Sequence, residues 1–318
     1  MTAPPGPPRC RRRWRVWRTK APLGAASWFR CGGTAQRLFL PPDDAALEAF
    51  LTQNAAPVTI LGAMANTIIR DGGVPGVTIR LGPGFADVTH IDTCQIRAGA
   101  GALNGTIAAA AAKAGIGGLA FLSGIPGTIG GALAMNAGAY GGEMADVVQA
   151  VYALDTQGRA VTLTPADMRF AYRASAPPPG LIFTGALLRG QARPPAAIWA
   201  EMESIKRKRL ETQPIRERTG GSTFANPSPE DCAQAGFPEG TKAWQVVARV
   251  GGRGLAIGGA KMSEQHCNFM VNTGTATATD LEALGEEIRR RALDAFGLTL
   301  RWEIARVGVA KGPALRSS

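Results

Sequence analysis

Histidine is almost absent from this sequence, and cysteine occurs in no pattern that could stand in for it. His90 and His266 are the only histidines among 318 residues, too few for a multi-histidine metal centre. The five cysteines, Cys10, Cys31, Cys94, Cys232 and Cys267, are odd in number and lack C-x-x-C spacing. That pattern argues against a disulfide framework and against a zinc site. No metal is expected, and a reducing cytoplasm suits such a chain. Long apolar runs are also scarce, with one exception: Ala114 to Gly142 carries no charge and is long enough to span a bilayer. Ten of those residues are glycine and Pro126 interrupts them, so a helix there is poorly supported. Glycine turns between short buried strands are expected instead, and no membrane span. No repeat is visible at periods of 20 to 50 residues, which excludes solenoids and propellers.

Acid is short relative to base, giving a formal net charge of +11, but the imbalance is local. Arg9, Arg11, Arg12, Arg13, Arg15, Arg18 and Lys20 supply seven of those eleven charges and meet no acid within residues 1–20. The rest of the chain is only mildly basic. The same stretch holds Pro4, Pro5, Pro7 and Pro8 and no apolar run of signal-peptide length, so a disordered tail is expected rather than an export signal. A basic arm for nucleic acid or anionic lipid is the competing explanation. Nucleic acid is nevertheless not expected as a partner. Charged residues at 19% and hydrophobic ones at 45% are ordinary for a folded chain, and its length favours two or three cooperating domains.

Periodicity gives a coarse α+β layout. Asp43 or Asp44 caps a short helix through Leu47 and Leu51, and the strand Val58–Leu61 runs into Gly62. Gly76–Leu81 and Val88–Ala98 read as strands, Ile107–Lys113 as a helix, and Val147–Leu154, Val161–Leu163 and Leu181–Leu188 as further strands. Pro194-Pro195 marks a domain boundary, followed by a helix containing Ile198, Met202 and Ile205 that ends in the basic run Lys206–Arg209. Thr277 with Asp280 caps a helix that stops at Gly297, and Leu298–Val307 is expected as a last strand.

Five places could carry chemistry. The turn Gly62-Ala63-Met64-Ala65-Asn66 can expose backbone N–H groups to a diphosphate, with the Asn66 side chain adding a donor. A plain hairpin turn has the same composition. The run Ser123-Gly124-Ile125-Pro126-Gly127-Thr128-Ile129-Gly130-Gly131, followed by Asn136-Ala137-Gly138, concentrates glycines that cost about 0.5–1 kcal/mol each relative to alanine in regular structure. A flat or phosphorylated ligand on the backbone would offset that, and so would tight packing. Tyr172-Arg173 precedes a proline-rich loop, and Ser222 sits on a glycine-freed loop ahead of Asn226. Glu303 is the only acid between Leu298 and Val307, and a buried acid there demands a partner or a function.

Taken in order, these strings resemble one family. Gly124-Ile-Pro-Gly-Thr-Ile-Gly-Gly131, Asn136-Ala-Gly-Ala-Tyr-Gly141, Tyr172-Arg173-x-Ser175, Gly221-Ser222-x-Phe224-x-Asn226-Pro227, Gly259 to Phe269 and Trp302-Glu303-Ile304 are similar to UDP-N-acetylenolpyruvoylglucosamine reductases. The resemblance runs from about Trp28 to Gly308. It implies a two-lobed FAD-binding domain of the vanillyl-alcohol-oxidase type, residues 21–194 with lobes about 21–90 and 91–194. An α+β substrate domain, 195–310, and a tail, 311–318, follow. FAD would lie on Gly62, Ala63, Met64, Ala65 and Asn66 and on Ser123, Gly124, Ile125, Pro126, Gly127, Gly130, Gly131 and Gly138. NADPH would reduce the flavin and leave, and UDP-N-acetylglucosamine enolpyruvate would take its place. Arg173 and Glu303 would polarise the enolpyruvyl carboxylate, Ser222 would donate the proton, and Tyr172 and Asn226 would hold substrate.

Several details depart from the family. Gly and Ser are usual where Met64 and Ala65 stand, so the Met64 side chain is expected to intrude on the diphosphate. A basic residue is common at Ala225 and Ala305. The connection from Arg173 to Pro195 is too short for the tyrosine-bearing insertion of one subclass, which implies the shorter subclass. A monomer is expected. Another flavoprotein of the same FAD fold remains the alternative, to be told apart by oxygen consumption with a hydroxylated substrate.

Overall fold

The computed structural model describes residues 16–311. Its first lobe is a four-stranded sheet in the order Trp17–Pro22, Thr34–Phe39, Val74–Arg80, Val58–Leu61. The outer pair is antiparallel and the other neighbours are parallel. Val77 and Ile79 alternate onto one face, where they pack with Phe39, Leu47 and Leu51. The helix Asp44–Gln53 covers that face and starts where the Asp43 carboxylate accepts the N–H of Ala46 at 2.9 Å.

Residues 17–20, expected in the disordered tail, instead belong to the edge strand. Trp17 stacks on Phe39 with ring centroids 4.6 Å apart, and the Arg37 guanidinium lies over its ring. An aromatic among arginines thus had a hydrophobic partner 22 residues downstream. The rest of the expected tail, residues 1–15, and the expected tail after Lys311 lie outside the described residues.

The second lobe is a five-stranded antiparallel sheet in the order Ala160–Leu163, Val148–Leu154, Ile182–Arg189, Gln95–Gly99, Val88–Asp92. The helix Asn104–Ala114 backs it through Ile107, Ala108 and Ala111 and ends at Gly115 with φ +74°. The glycine-rich stretch differs from the expected strands and turns. It forms a 3-10 turn, Ala120–Gly124, and a helix, Ile129–Ala134, with strands of only two residues at 116–117, 138–139 and 142–143. The reason is close packing: a Cβ on Gly124 would lie 2.5 Å from the Tyr140 ring, and one on Gly130 would lie 3.1 Å from Ala100. Among the described residues no helix is long and apolar enough to cross a membrane.

After the helix Pro195–Thr212, a sheet of short strands orders Arg218–Thr219, Met270–Asn272, Ala260–Met262 and Ala256–Ile257. The helix Ala278–Phe296 packs Leu281, Leu284 and Ile288 against it, between a Thr277/Asp280 capping box and Gly297 at φ +65°. Phe29 and Ile68, from the N-terminal part, enter the same core.

The expected last strand shrinks to Ala305–Val307, which pairs in parallel with Thr67–Ile69 of the N-terminal part. Upstream of it only a single bridge, Phe224 to Trp302, is made. Residues 298–304 are apolar enough for a strand, but the only segment alongside them among the described residues is the short loop Thr223–Ala225, which meets residues 301–304 alone.

Candidate active site

Glu303 and Arg173 meet, although 130 residues separate them: Arg173 Nε donates to Glu303 Oε1 at 3.0 Å. Arg173 sits in a tight bend with φ +56°, closed by an Ala171–Ala174 bridge. The bend points the guanidinium past Gly138, where a Cβ would stand only 3.2 Å from Nη1. Its flank rests on the Tyr172 ring, 5.2 Å from the centroid. The pair is largely shielded, with side-chain exposures of 25% for Arg173 and 14% for Glu303. Burial pushes the Glu303 carboxyl above its ordinary range, and the Arg173 guanidinium pulls back part of that shift. Such a carboxyl can serve as a hydrogen-bond donor as well as an anion. A shielded pair of this kind adds little net stability over an apolar replacement, so its presence points to chemistry.

Ser222 is brought to the same place by its backbone neighbours. The Thr223 carbonyl accepts the N–H of Glu303 at 2.8 Å, and Ala225 N–H donates to Arg301 O at 2.9 Å. Asn268 holds this loop from behind. Its Oδ1 accepts the Phe224 N–H at 3.1 Å, its Nδ2 donates to Phe224 O at 2.9 Å, and its carbonyl accepts from Thr223 N. Ser222 is half-buried, and among the described residues its hydroxyl has no hydrogen-bond partner. Tyr172 Oη accepts the N–H of Asn226 at 3.4 Å, so the two expected substrate contacts touch one another. Asn226 Oδ1 accepts from Ala243 N at 3.0 Å, which leaves its amide N–H groups for a ligand.

The cradle expected for a flavin is built from two backbone runs. Among the described residues, the N–H groups of Gly62, Ala63, Met64 and Ala65 donate to no acceptor, nor do those of Gly127, Thr128 and Gly131. A Cβ on Gly62 would lie 2.4 Å from Thr128 Oγ1, so the bare glycine is what lets the two runs close. Gly127 holds φ +111°, a conformation side chains rarely adopt. Gly131 is exposed, with nothing nearer its Cβ position than Thr128 Oγ1 at 3.8 Å. Asn104 Oδ1 is fully buried with no partner beside this run. Free donors converging from two sides fit the diphosphate of FAD.

Other expected contacts have different partners. Met64, with φ +52°, turns its side chain into a core with Leu23, Leu38, Leu61 and Ile69 and is 3% exposed. It therefore does not intrude on the diphosphate, because the left-handed turn directs the thioether inward. Ala65 is also buried, its methyl facing Gly127. The Asn66 side chain is already engaged: Oδ1 accepts from Gly221 N at 3.0 Å and one of the two Nδ2 N–H groups donates to Glu303 O at 3.3 Å. Ser123 Oγ donates back to Ala120 O at 2.7 Å, Ile125 N donates to Leu122 O, and Ile125 O accepts from Asn104. Pro126 is half-buried between them. Thr128, Asn104 and Asn268 were not singled out from sequence, although Thr128 and Asn268 lie inside the quoted strings.

A family model described as FAD binding domain matches residues 39–164, and one described as UDP-N-acetylenolpyruvoylglucosamine reductase, C-terminal domain, matches residues 213–307. The chain is 52% identical over 294 residues to a UDP-N-acetylenolpyruvoylglucosamine reductase of Maricaulis maris, covering 92% of each. It is 50% identical over 289 residues to one of Rhodospirillum rubrum, covering 90% of this chain and 88% of the relative. A solved UDP-N-acetylenolpyruvylglucosamine reductase of Thermus caldophilus superposes with TM-score 0.75 at 33% identity, over 90% of this chain and 97% of that one. At these identities and coverages the chain belongs to the UDP-N-acetylenolpyruvoylglucosamine reductase family.

Proposed function

We propose that this chain reduces UDP-N-acetylglucosamine enolpyruvate to UDP-N-acetylmuramate for peptidoglycan synthesis, with FAD as cofactor and NADPH as reductant. The observation that carries the reading is the 3.0 Å Arg173–Glu303 pair standing beside the Ser222 loop. Bound FAD supplies the hydride that saturates the enolpyruvyl carbon.

The residues of the chain do the rest. The free N–H groups of the Gly62 turn and of Gly127, Thr128 and Gly131 hold the diphosphate of the cofactor. Arg173 faces the enolpyruvyl carboxylate with its remaining N–H groups. Glu303, whose carboxyl burial pushes toward the protonated form, adds a hydrogen bond where negative charge grows. Ser222 then delivers the proton to the neighbouring carbon. A serine hydroxyl is a weak acid, and it suffices here because an enolate is a strong base. Tyr172 and Asn226 sit where the nucleotide half of the substrate would extend.

On this reading residues 21–194 form the flavin domain and 195–310 the substrate domain, supported by the family-model matches at 39–164 and 213–307. The enzyme acts as a cytoplasmic monomer, in keeping with the unpaired thiols of Cys31, Cys94, Cys232 and Cys267. Purified protein should show a flavin absorption spectrum and oxidise NADPH only when the enolpyruvyl nucleotide is added. A colourless protein that cannot be reconstituted with FAD overturns the assignment.

A further inference from the structure

Asn66 closes the flavin turn, yet its side chain serves two distant segments. Oδ1 accepts the N–H of Gly221 at 3.0 Å, one residue before Ser222. Nδ2 donates to the carbonyl of Glu303 at 3.3 Å, and the Asn66 carbonyl accepts the N–H of Ala305 at 3.1 Å. These partners lie 155 and more than 230 residues along the chain. The approach depends on two missing side chains: a Cβ would stand 3.2 Å from Asn66 Oδ1 at Gly220 and 3.3 Å at Gly221. One amide therefore joins the segment bearing the proton donor, the segment bearing the acid, and the turn whose free N–H groups face the diphosphate.

We propose that Asn66 is a positioning residue that holds Ser222 and Glu303 in register with the flavin, an inference resting on the function assigned above. The two half-reactions place different demands on it. Reduction of the flavin by NADPH needs neither Ser222 nor Glu303. Reduction of the enolpyruvyl group needs both to meet the same substrate carbons, where a displacement of about 1 Å can cost about 10²-fold. Diphosphate binding by the turn uses backbone N–H groups and leaves the amide free for this task.

The test is Asn66→Ala in the FAD-loaded full-length enzyme, with each half-reaction followed by anaerobic stopped-flow absorbance. Reoxidation by the enolpyruvyl nucleotide should slow about 10²-fold, while flavin reduction and FAD affinity change by less than about threefold. Added to Ser222→Ala, the substitution should slow reoxidation by clearly less than the about 10²-fold it costs alone, because the part of its effect that passes through Ser222 is already lost. Gly221→Ala, which presses a methyl against the same amide from the side of the serine loop, should give a smaller slowing of the same step alone. Equal slowing of both half-reactions, a tenfold or greater loss of FAD affinity, or full additivity with Ser222→Ala overturns the positioning role. A wild-type enzyme that binds FAD but reduces no enolpyruvyl nucleotide defeats the functional reading itself, and that is read before any variant is made.

Discussion

Replacing Glu303 by glutamine isolates the proton from the geometry. The amide keeps an oxygen where Oε1 now accepts from Arg173 Nε at 3.0 Å, and the backbone bonds to Thr223 O and Asn66 Nδ2 are untouched. What disappears is the acidic proton. A preorganised donor aimed at developing negative charge is worth about 10²–10³ in rate; glutamine exchanges the acidic O–H for a weaker amide N–H donor, so Glu303→Gln should lower the rate of enolpyruvyl reduction by about tenfold, and Glu303→Ala, which removes the donor, by the full factor. Flavin reduction by NADPH, which develops no charge at Glu303, should be nearly unaffected.

The pH dependence gives a second signature of the same substitution. Burial raises the Glu303 carboxyl above its ordinary value, so the protonated form prevails at low pH and is lost as pH rises through the folded value. The wild-type reoxidation rate should therefore fall along a basic limb that Glu303→Gln lacks. The stability contribution has the same sign: it is complete below the unfolded carboxylate value and is lost as pH rises through the folded one. At neutral pH the glutamine variant should consequently unfold at about the wild-type temperature or slightly above it. Stopped-flow traces from pH 5 to 10 and a thermal melt check both outcomes. A Glu303→Ala variant within about fivefold of wild type, or a Glu303→Gln variant that keeps the basic limb, refutes the role given to this acid.

Ser222→Ala should spare flavin reduction and cut product formation by about 10²–10⁴-fold, read by single-turnover absorbance. Gly127→Ala forces a side chain into φ +111° and should weaken FAD binding and destabilise the fold by about 1–3 kcal/mol, read by flavin fluorescence titration and urea unfolding. Met64→Gly should destabilise the protein by about 2 kcal/mol, the loss of a buried thioether outweighing relief of its positive φ, while FAD affinity stays the same. Tighter FAD binding by Met64→Gly would show that the methionine does intrude on the cofactor.

Elements signalled by local chemistry were legible in the sequence. Asp43 and the Thr277/Asp280 box cap helices where capping residues precede apolar periodicity, and Gly297 ends one in the left-handed conformation. Glu303 stood out because a lone acid in an apolar run needs a partner, and Arg173 is that partner. The glycine-rich run was misjudged because glycine count does not reveal whether the missing Cβ serves a turn or a neighbour. At Gly124 and Gly130 the neighbours, Tyr140 and Ala100, decide. Leu298–Val307 was overextended for a related reason, since a strand exists only as far as another strand accompanies it. Met64 illustrates the limit most clearly: its identity predicts intrusion, whereas its φ sends it into the core.

Much of the seam between the two halves of the molecule lies in one short stretch, residues 66–71, beside the Arg173–Glu303 and Tyr172–Asn226 contacts. Asn66 binds Gly221 and Glu303, Thr67–Ile69 pair with Ala305–Val307, and Ile68 enters the C-terminal core. Arg70 then forks onto Glu282 at 2.9–3.2 Å, and the Asp71 carboxylate accepts the N–H groups of Ala278 and Thr279 at the start of the long helix. That stretch continues directly from the free N–H groups of the Gly62 turn. Rotating the C-terminal half away from the flavin turn would therefore break polar links at 66, 70 and 71 and expose an isoleucine now 1% accessible. Each such loss costs about 1 kcal/mol or more, so the Ser222 loop, Glu303 and the Gly62 turn are held together as one unit.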